Sequence, residues 1–367
     1  MKVFVTGGNG FIGSVVVRRL LRTGHRVRCL VRPASGTSRI TGLPLEVTVG
    51  DIRDPECLIR GMDGCNAVIH LAAPSAWREI ESPAMREIVV DGTRNVLSAA
   101  KTYGGLRTVY VSSVAAINGT SKPEVLTEAS PWTLEGANLK YASAKHDAEA
   151  RCMEAVDDGV PVVIVNPSEV FGPHDRKFVT AGELLDFARS NPVLVCQGGT
   201  SVVHVEDVAC GIVAALKRGR PGHRYILGGE NLSIREMAAL TLEIIGLQRR
   251  IITIPNALSL AVAKIGKTLR VPLPFDANVI PYATRYWYVE STKAQRELGV
   301  SFRSARETFT SVLRWAQAKG YLPADTLVDR HPHPGRSGPR SGRLDTVQES
   351  PMVKKRRPTS EPLAKGN

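Results

Sequence analysis

Tyr141 and Lys145 stand four residues apart in the alanine-rich stretch Tyr141-Ala142-Ser143-Ala144-Lys145. In a helix that spacing places both side chains on one face. A free tyrosine ionises near pH 10, which makes it a poor base at neutrality. A lysine ammonium one turn away favours the phenolate. The pair therefore suits a general acid for reducing a carbonyl, or a general base for oxidising an alcohol. Such chemistry also needs a hydroxyl to polarise the substrate oxygen. The β-rich run Val111-Ser112-Ser113 offers two, and one residue of register decides between Ser112 and Ser113.

A second group of residues is suited to holding phosphate. Gly7-Gly8-Asn9-Gly10-Phe11-Ile12-Gly13 lies between the apolar run Lys2–Thr6 and a helical pattern from Phe11 to Leu21. Gly7 permits the tight turn, Gly10 lets backbone approach a pyrophosphate, and Gly13 lets helix pack on strand. Phe11 and Ile12 open the helix, where free N–H groups and the positive dipole end meet the phosphates. Strand, glycines and helix in this order form a dinucleotide fingerprint. The charge pattern selects the cofactor. NAD sites place an Asp or Glu near the end of the second strand. Between Leu21 and Leu45 there is no acidic residue, but there are Arg28, Arg32 and Arg39 with Ser35, Thr37 and Ser38. Arg32 directly follows the strand, where its guanidinium can fork onto a 2′-phosphate. NADP(H) is expected in preference to NAD(H), and an oxidised nicotinamide's positive charge further favours the Tyr141 phenolate.

The elements that must position these groups alternate. After the first strand and helix, His25–Val31 and Leu45–Val49 read as strands, and Asp54-Pro55 as a helix start. Ala67–Ala72 and Thr108–Val111 are strands around a helical pattern at Met85–Thr102. Tyr141–Val156 is a helix and Val160–Val165 a further buried strand. The expected fold class is α/β, a Rossmann-type doubly wound parallel sheet with a smaller mixed C-terminal substrate region and a disordered tail. Residues 1–165 form the NADP-binding domain, with later segments interleaved, and 166–323 complete the fold as substrate region. Ser233-Ile234-Arg235-Glu236 is a capping box opening a helix to Ile245, and Ser304–Lys319 is another helix. Residues 324–367 are rich in Pro, Gly, Ser and Arg and read as a disordered basic tail.

The glycine spacing resembles that of the extended short-chain dehydrogenase/reductase superfamily, within the NAD-dependent epimerase/dehydratase family. Gly50-Asp51-Ile52, His70-Leu71-Ala72-Ala73, Val111-Ser112-Ser113 and Tyr141 to Lys145 fit that superfamily in the same order. The resemblance spans residues 1–322 and implies a catalytic set of Ser113, Tyr141 and Lys145, with Lys145 also orienting the cofactor ribose. It further implies cofactor contacts from Asp51 and Ile52 at the adenine edge, from Leu71, Ala72 and Ala73, and from Pro167 in Asn166-Pro167-Ser168-Glu169-Val170-Phe171-Gly172-Pro173. The later motifs are most similar to dihydroflavonol 4-reductase-like and hopanoid-associated sugar epimerase-like proteins. One departure stands out. Val89 of Val89-Val90-Asp91-Gly92-Thr93 occupies the place of a family asparagine. Two absences argue against nucleotide-sugar chemistry. Ser113-Val114-Ala115 lacks the carboxylates of a dehydratase, and Thr200 stands where epimerases carry an arginine before His204. His204 reads as structural. Trp77, Phe171, His174, Phe178 and Trp287 are candidate pocket-lining residues.

Length and composition bound the reading. The 367 residues, 43% apolar and 23% charged, suffice for a large core without disulfide or metal. The six cysteines are scattered without a CxxC pair, so no metal site is expected. No run approaches a membrane span and no secretory signal is visible, giving a cytoplasmic expectation. The net charge of +13 is spread over the body rather than gathered in one segment, so no nucleic-acid partner is expected. The expected activity is NADP(H)-dependent reduction of a ketone or aldehyde, or the reverse, on a small-molecule carbonyl or alcohol substrate. The rival readings are a sugar epimerase that retains its cofactor and a non-catalytic dinucleotide sensor. By resemblance the chain is a candidate homodimer.

Overall fold

The computed structural model describes residues 1–74, 76–269, 276–323 and 326. The tail expected over 324–367 lies outside the described residues except for Thr326.

The cofactor half runs β1 (Lys2–Thr6), α1 (Phe11–Arg22), β2 (Arg26–Val31), β3 (Glu46–Val49), α2 (Pro55–Met62) and β4 (Ala67–His70). It continues with α3 (Gly92–Thr102), β5 (Arg107–Val111), α4 (Lys140–Asp157) and β6 (Val162–Pro167). The second half holds β7 (Glu169–Phe171), α5 (Ala181–Arg189), β8 (Val193–Val195), β9 (Gly199–His204), α6 (Val205–Arg218) and β10 (Arg224–Leu227). It ends with β11 (Glu230–Ser233), α7 (Ile234–Ile244), β12 (Ile251–Thr253), α8 (Asn256–Leu269), α9 (Ile280–Ala283), β13 (Tyr286–Trp287), α10 (Thr292–Leu298) and α11 (Ala305–Ala318).

Seven strands form one sheet in the order β10-β6-β5-β4-β1-β2-β3, and each neighbouring pair is parallel. Alternation along β1 shows why both faces must be covered. Val3 and Val5 join a core with α1 and α6, whereas Phe4 joins another with α2, α3 and α4. A third core, including Phe171, Leu184, Met237 and Phe309, consolidates the second half. Because the strands are parallel, their carboxyl ends share one edge, where a doubly wound sheet binds its ligand.

Local signals set several boundaries. Asp54 caps α2 through the Cys57 N–H, with Pro55 at the first helical position. Ser233 and Ser304 each complete a capping box, with Glu236 and Glu307 respectively. The expected single helix over Met85–Thr102 differs. Glu87–Asp91 is wound as a π-helix before α3 begins at Gly92. The expected strand Ala67–Ala72 ends at His70, and Leu71 and Ala72 pass against the glycine loop.

Candidate active site

The glycine loop follows β1. Gly7 has φ +72°, and a Cβ there would lie 2.8 Å from the Ala72 backbone nitrogen. A Cβ on Gly13 would come within 2.1 Å of the Gly7 oxygen. Side chains at these two positions would wedge the loop away from β4 and α1. Gly10 serves as the N-cap of α1 and supplies no side-chain cap. The first turn, carrying half-buried Phe11 and Ile12, thus keeps its donors for an anion. A cradle lined by backbone fits a pyrophosphate. Leu71, Ala72 and Ala73 are half-buried beside it, and Pro167 ends β6 on the same edge.

A buried relay ties this loop to the sheet. His70 Nδ1 lies 2.6 Å from the Thr6 hydroxyl, and His70 Nε2 lies 3.1 Å from that of Thr93. Thr93 donates its own proton to the Val89 carbonyl at 2.5 Å. It therefore accepts from Nε2–H, and Thr6 donates to Nδ1. Thr6 Oγ1 also receives the Ala72 N–H at 3.3 Å. Burial, reinforced by Lys145, pushes the His70 pKa down from 6.5 to about 3. The folded state requires the neutral ring, whereas the unfolded chain takes up a proton below pH 6.5. This contribution is complete above pH 6.5 and is lost as pH falls toward 3, at roughly 1.4 kcal/mol per pH unit. Denaturant unfolding at pH 6.5 and pH 5 is expected to show this loss, about 2 kcal/mol over the interval. In His70→Asn this component of the pH dependence disappears.

Arg32 is exposed just beyond β2, with Nε 3.3 Å from Ser35 Oγ. Arg28 is not available there, because it pairs with Glu46 at 2.7 Å and donates to the Gly61 and Asp63 carbonyls. Arg39 donates to the His174 carbonyl at 3.0 Å. Arg53 chelates the Asp51 carboxylate at 2.9 and 3.1 Å and holds its pKa below the usual range. Ile52 is buried against α3 at Gly92.

Tyr141 and Ser113 both line a pocket beyond β5, with Trp77, Tyr282 and Trp287. Ser113 Oγ accepts the Ala115 N–H at 3.2 Å and so caps the short 3₁₀ turn Val114–Ala116. Ser113 lines the pocket, whereas Ser112 is 5% exposed and lies off it. Lys145 lies buried one turn along α4. Its Nζ donates to the Val111 carbonyl at 2.9 Å and sits 5.0 Å above the Tyr110 ring. Burial lowers its pKa to about 8, opposed by Glu149.

In the protein alone, burial raises the Tyr141 pKa and Ser113 pulls it back, while the Lys145 ammonium donates to the Val111 carbonyl. A phenol that keeps its proton is an acid, which suits the reducing direction.

The chain is covered over residues 3–228 by the model of the NAD dependent epimerase/dehydratase family. It belongs to the NAD-dependent epimerase/dehydratase family. A Synechocystis protein provisionally named a dihydroflavonol 4-reductase is 36% identical over 329 residues, covering 87% of this chain and 95% of that one. The Stigmatella aurantiaca 4-hydroxy-2-methyl-3-oxo-4-farnesyl-3,4-dihydroquinoline-1-oxide ketoreductase is 29% identical, covering 87% of this chain and 98% of its own. Among solved structures, gox2253 superposes with TM-score 0.77 at 32% identity, covering 87% of this chain and 99% of that chain.

Val89 is core, 1% exposed, while buried Asn166 on β6 donates to the Ser113 carbonyl at 2.9 Å and to Glu149 at 2.6 Å. His204 is structural, accepting the Glu206 N–H at the start of α6 and meeting Ser311 at 3.1 Å. Of the expected lining residues, Trp77 and Trp287 face the pocket. Phe171 instead packs on Phe309 in the third core, and His174 and Phe178 pack on Trp315.

Sequence reasoning missed Glu169, Glu183, Tyr282 and Arg285 on the pocket wall, which they share with Thr200. Burial pushes both the Glu169 and the Glu183 carboxyl pKa up, and the neighbouring Glu169 charge raises that of Glu183 further.

Proposed function

We propose that the chain is an NADP(H)-dependent oxidoreductase that interconverts an uncharged ketone or aldehyde with its alcohol. The observation that carries this reading is that Ser113 and Tyr141 line one pocket, with buried Lys145 one helical turn away. A bound nicotinamide supplies or takes up the hydride. Ser113 holds the substrate oxygen, Tyr141 gives or takes its proton, and Lys145 orients the cofactor ribose from beneath. Residues 1–165 serve the cofactor and 166–323 the substrate. Two relatives carrying reductase names support the direction of the chemistry.

The carboxyl pair disfavours nucleotide sugars. Above about pH 7, where Glu169 ionises, a diphosphate entering beside it would meet like charge, and Arg285 on the same wall is donating to the Gly119 carbonyl at 3.3 Å. Glu169→Gln with Glu183→Gln is expected to lower KM for an anionic oxo-acid probe about tenfold relative to a neutral ketone, roughly 1.4 kcal/mol. Steady-state kinetics on the two probes checks this.

Fluorescence titration of the purified protein with NADPH and NADH, followed by ketone turnover, tests the whole reading. NADPH is expected to bind more tightly and to exchange during turnover. A preference for NADH removes the NADP assignment. Cofactor that copurifies and never exchanges favours an epimerase.

A further inference from the structure

Helix α8 is fixed to the protein by its smallest residues. Ser259, Ala263 and Gly266 are its buried positions, and Asn256 at its start bonds the Gln197 backbone in both directions and the Thr284 carbonyl. Alongside that buried strip, Leu258, Val262, Ile265 and Leu269 are 55%, 38%, 57% and 67% exposed. Their spacing of four, three and four places them in one stripe. With Leu260 they are five of the exposed large hydrophobic residues among the described residues, all on a single helix. Isolated apolar residues on a surface are ordinary, but a continuous stripe marks a contact surface.

The charges on the helix narrow the occupant. Between Asn256 and Leu269 there is no acidic residue, while Lys264 and Lys267 are exposed. Glu81, close enough to feel Lys140 and Lys267, is the nearby acid. The whole chain carries +13. A helix with an apolar stripe and lysines beside it has the composition of an interfacial helix that lies in the headgroup region of an anionic bilayer. A two-fold interface between copies would use the same patch twice and bring the lysines of both into one contact. No described helix is long and apolar enough to span a membrane, so α8 would lie on the surface. The helix packs on α9, whose Tyr282 and Ala283 line the pocket.

We propose that the exposed face of α8, formed by Leu258, Val262, Ile265 and Leu269 with Lys264 and Lys267, docks the protein on an anionic phospholipid surface. The inference stands apart from the reductase reading, because lipid binding is measured without turnover.

The test is co-sedimentation of the full chain with phosphatidylcholine vesicles and with vesicles containing phosphatidylglycerol. Binding to the anionic vesicles is expected, weakened by salt, and lost by at least about tenfold in Leu258→Glu/Ile265→Glu. The melting temperature and NADPH affinity of that variant should match the parent. Lys264→Glu/Lys267→Glu should reduce binding to the anionic vesicles alone. Absence of binding to either vesicle, or equal binding by the Leu258→Glu/Ile265→Glu variant, overturns the proposal. A parent dimer that this variant converts to monomer, without vesicle binding, assigns the face to a second copy and overturns it equally.

Discussion

Tyr141→Phe is expected to lower kcat for ketone reduction by about 100- to 10,000-fold, the range set by removing a positioned general acid. NADPH affinity and melting temperature should be retained, because the ring stays and only the oxygen leaves. That combination separates a reductase from a dinucleotide sensor, in which the substitution would leave the measured function intact. The pH profile adds a second readout. Burial keeps Tyr141 protonated beyond its ordinary range, so the tyrosine does not limit reduction as pH rises through 8. Lys145 does, because burial brings its ammonium to about 8. The charged form predominates below that value, so kcat/KM for reduction should fall as pH rises through about 8. In Lys145→Arg the guanidinium stays charged, and this limb should disappear even though the absolute rate is lower. A limb near 10 in the parent enzyme would mean that Tyr141 itself, not Lys145, sets the profile.

The parts of this site that sequence reveals are those encoded by short spacing. Gly7, Gly10 and Gly13 announce a loop because a strand and a helix adjoin them within a few residues. Tyr141 and Lys145 announce one helical face because four residues make about one turn. Parallel alternation then places Arg32, Asp51, Ala72, Ser113 and Pro167 at one sheet edge without any further information. What stays hidden is assembled from distant segments. Glu169, Glu183, Thr200 and Tyr282 come from β7, α5, β9 and α9, and no local pattern links them. Phe171 illustrates the reverse error, since an aromatic next to a site motif turned inward to Phe309. The π-helical turn at Glu87–Asp91 was equally hidden, because its apolar residues also fit an α-helical period. Lys145 shows a subtler limit. Spacing fixed the face it shares with Tyr141, but not that the Val111 carbonyl would claim its ammonium.

Arg32→Ala is expected to weaken NADPH binding by about 10- to 100-fold while changing NADH binding less than about twofold, as lost charge-assisted bonds to a 2′-phosphate require. The geometry supports Arg32 over its neighbours. Arg28 is consumed within β2, where Glu46, paired to it in the sheet register, also holds Lys2 at 2.7 Å. Those contacts hold the Glu46 pKa down to about 2, so Glu46 is a permanent anion, but one remote from the ribose edge. At that edge the nearby acid is Asp51, and both of its oxygens already accept from Arg53. A 2′-phosphate would find an exposed guanidinium and the Ser35 hydroxyl beside it. Because Arg32 is exposed, the NADPH advantage should shrink with ionic strength, and the Arg32→Ala protein should lose that salt dependence. Equal loss of both cofactors in the variant would instead place Arg32 over the adenine ring, which NADH and NADPH share, and leave the 2′-phosphate without its assigned partner.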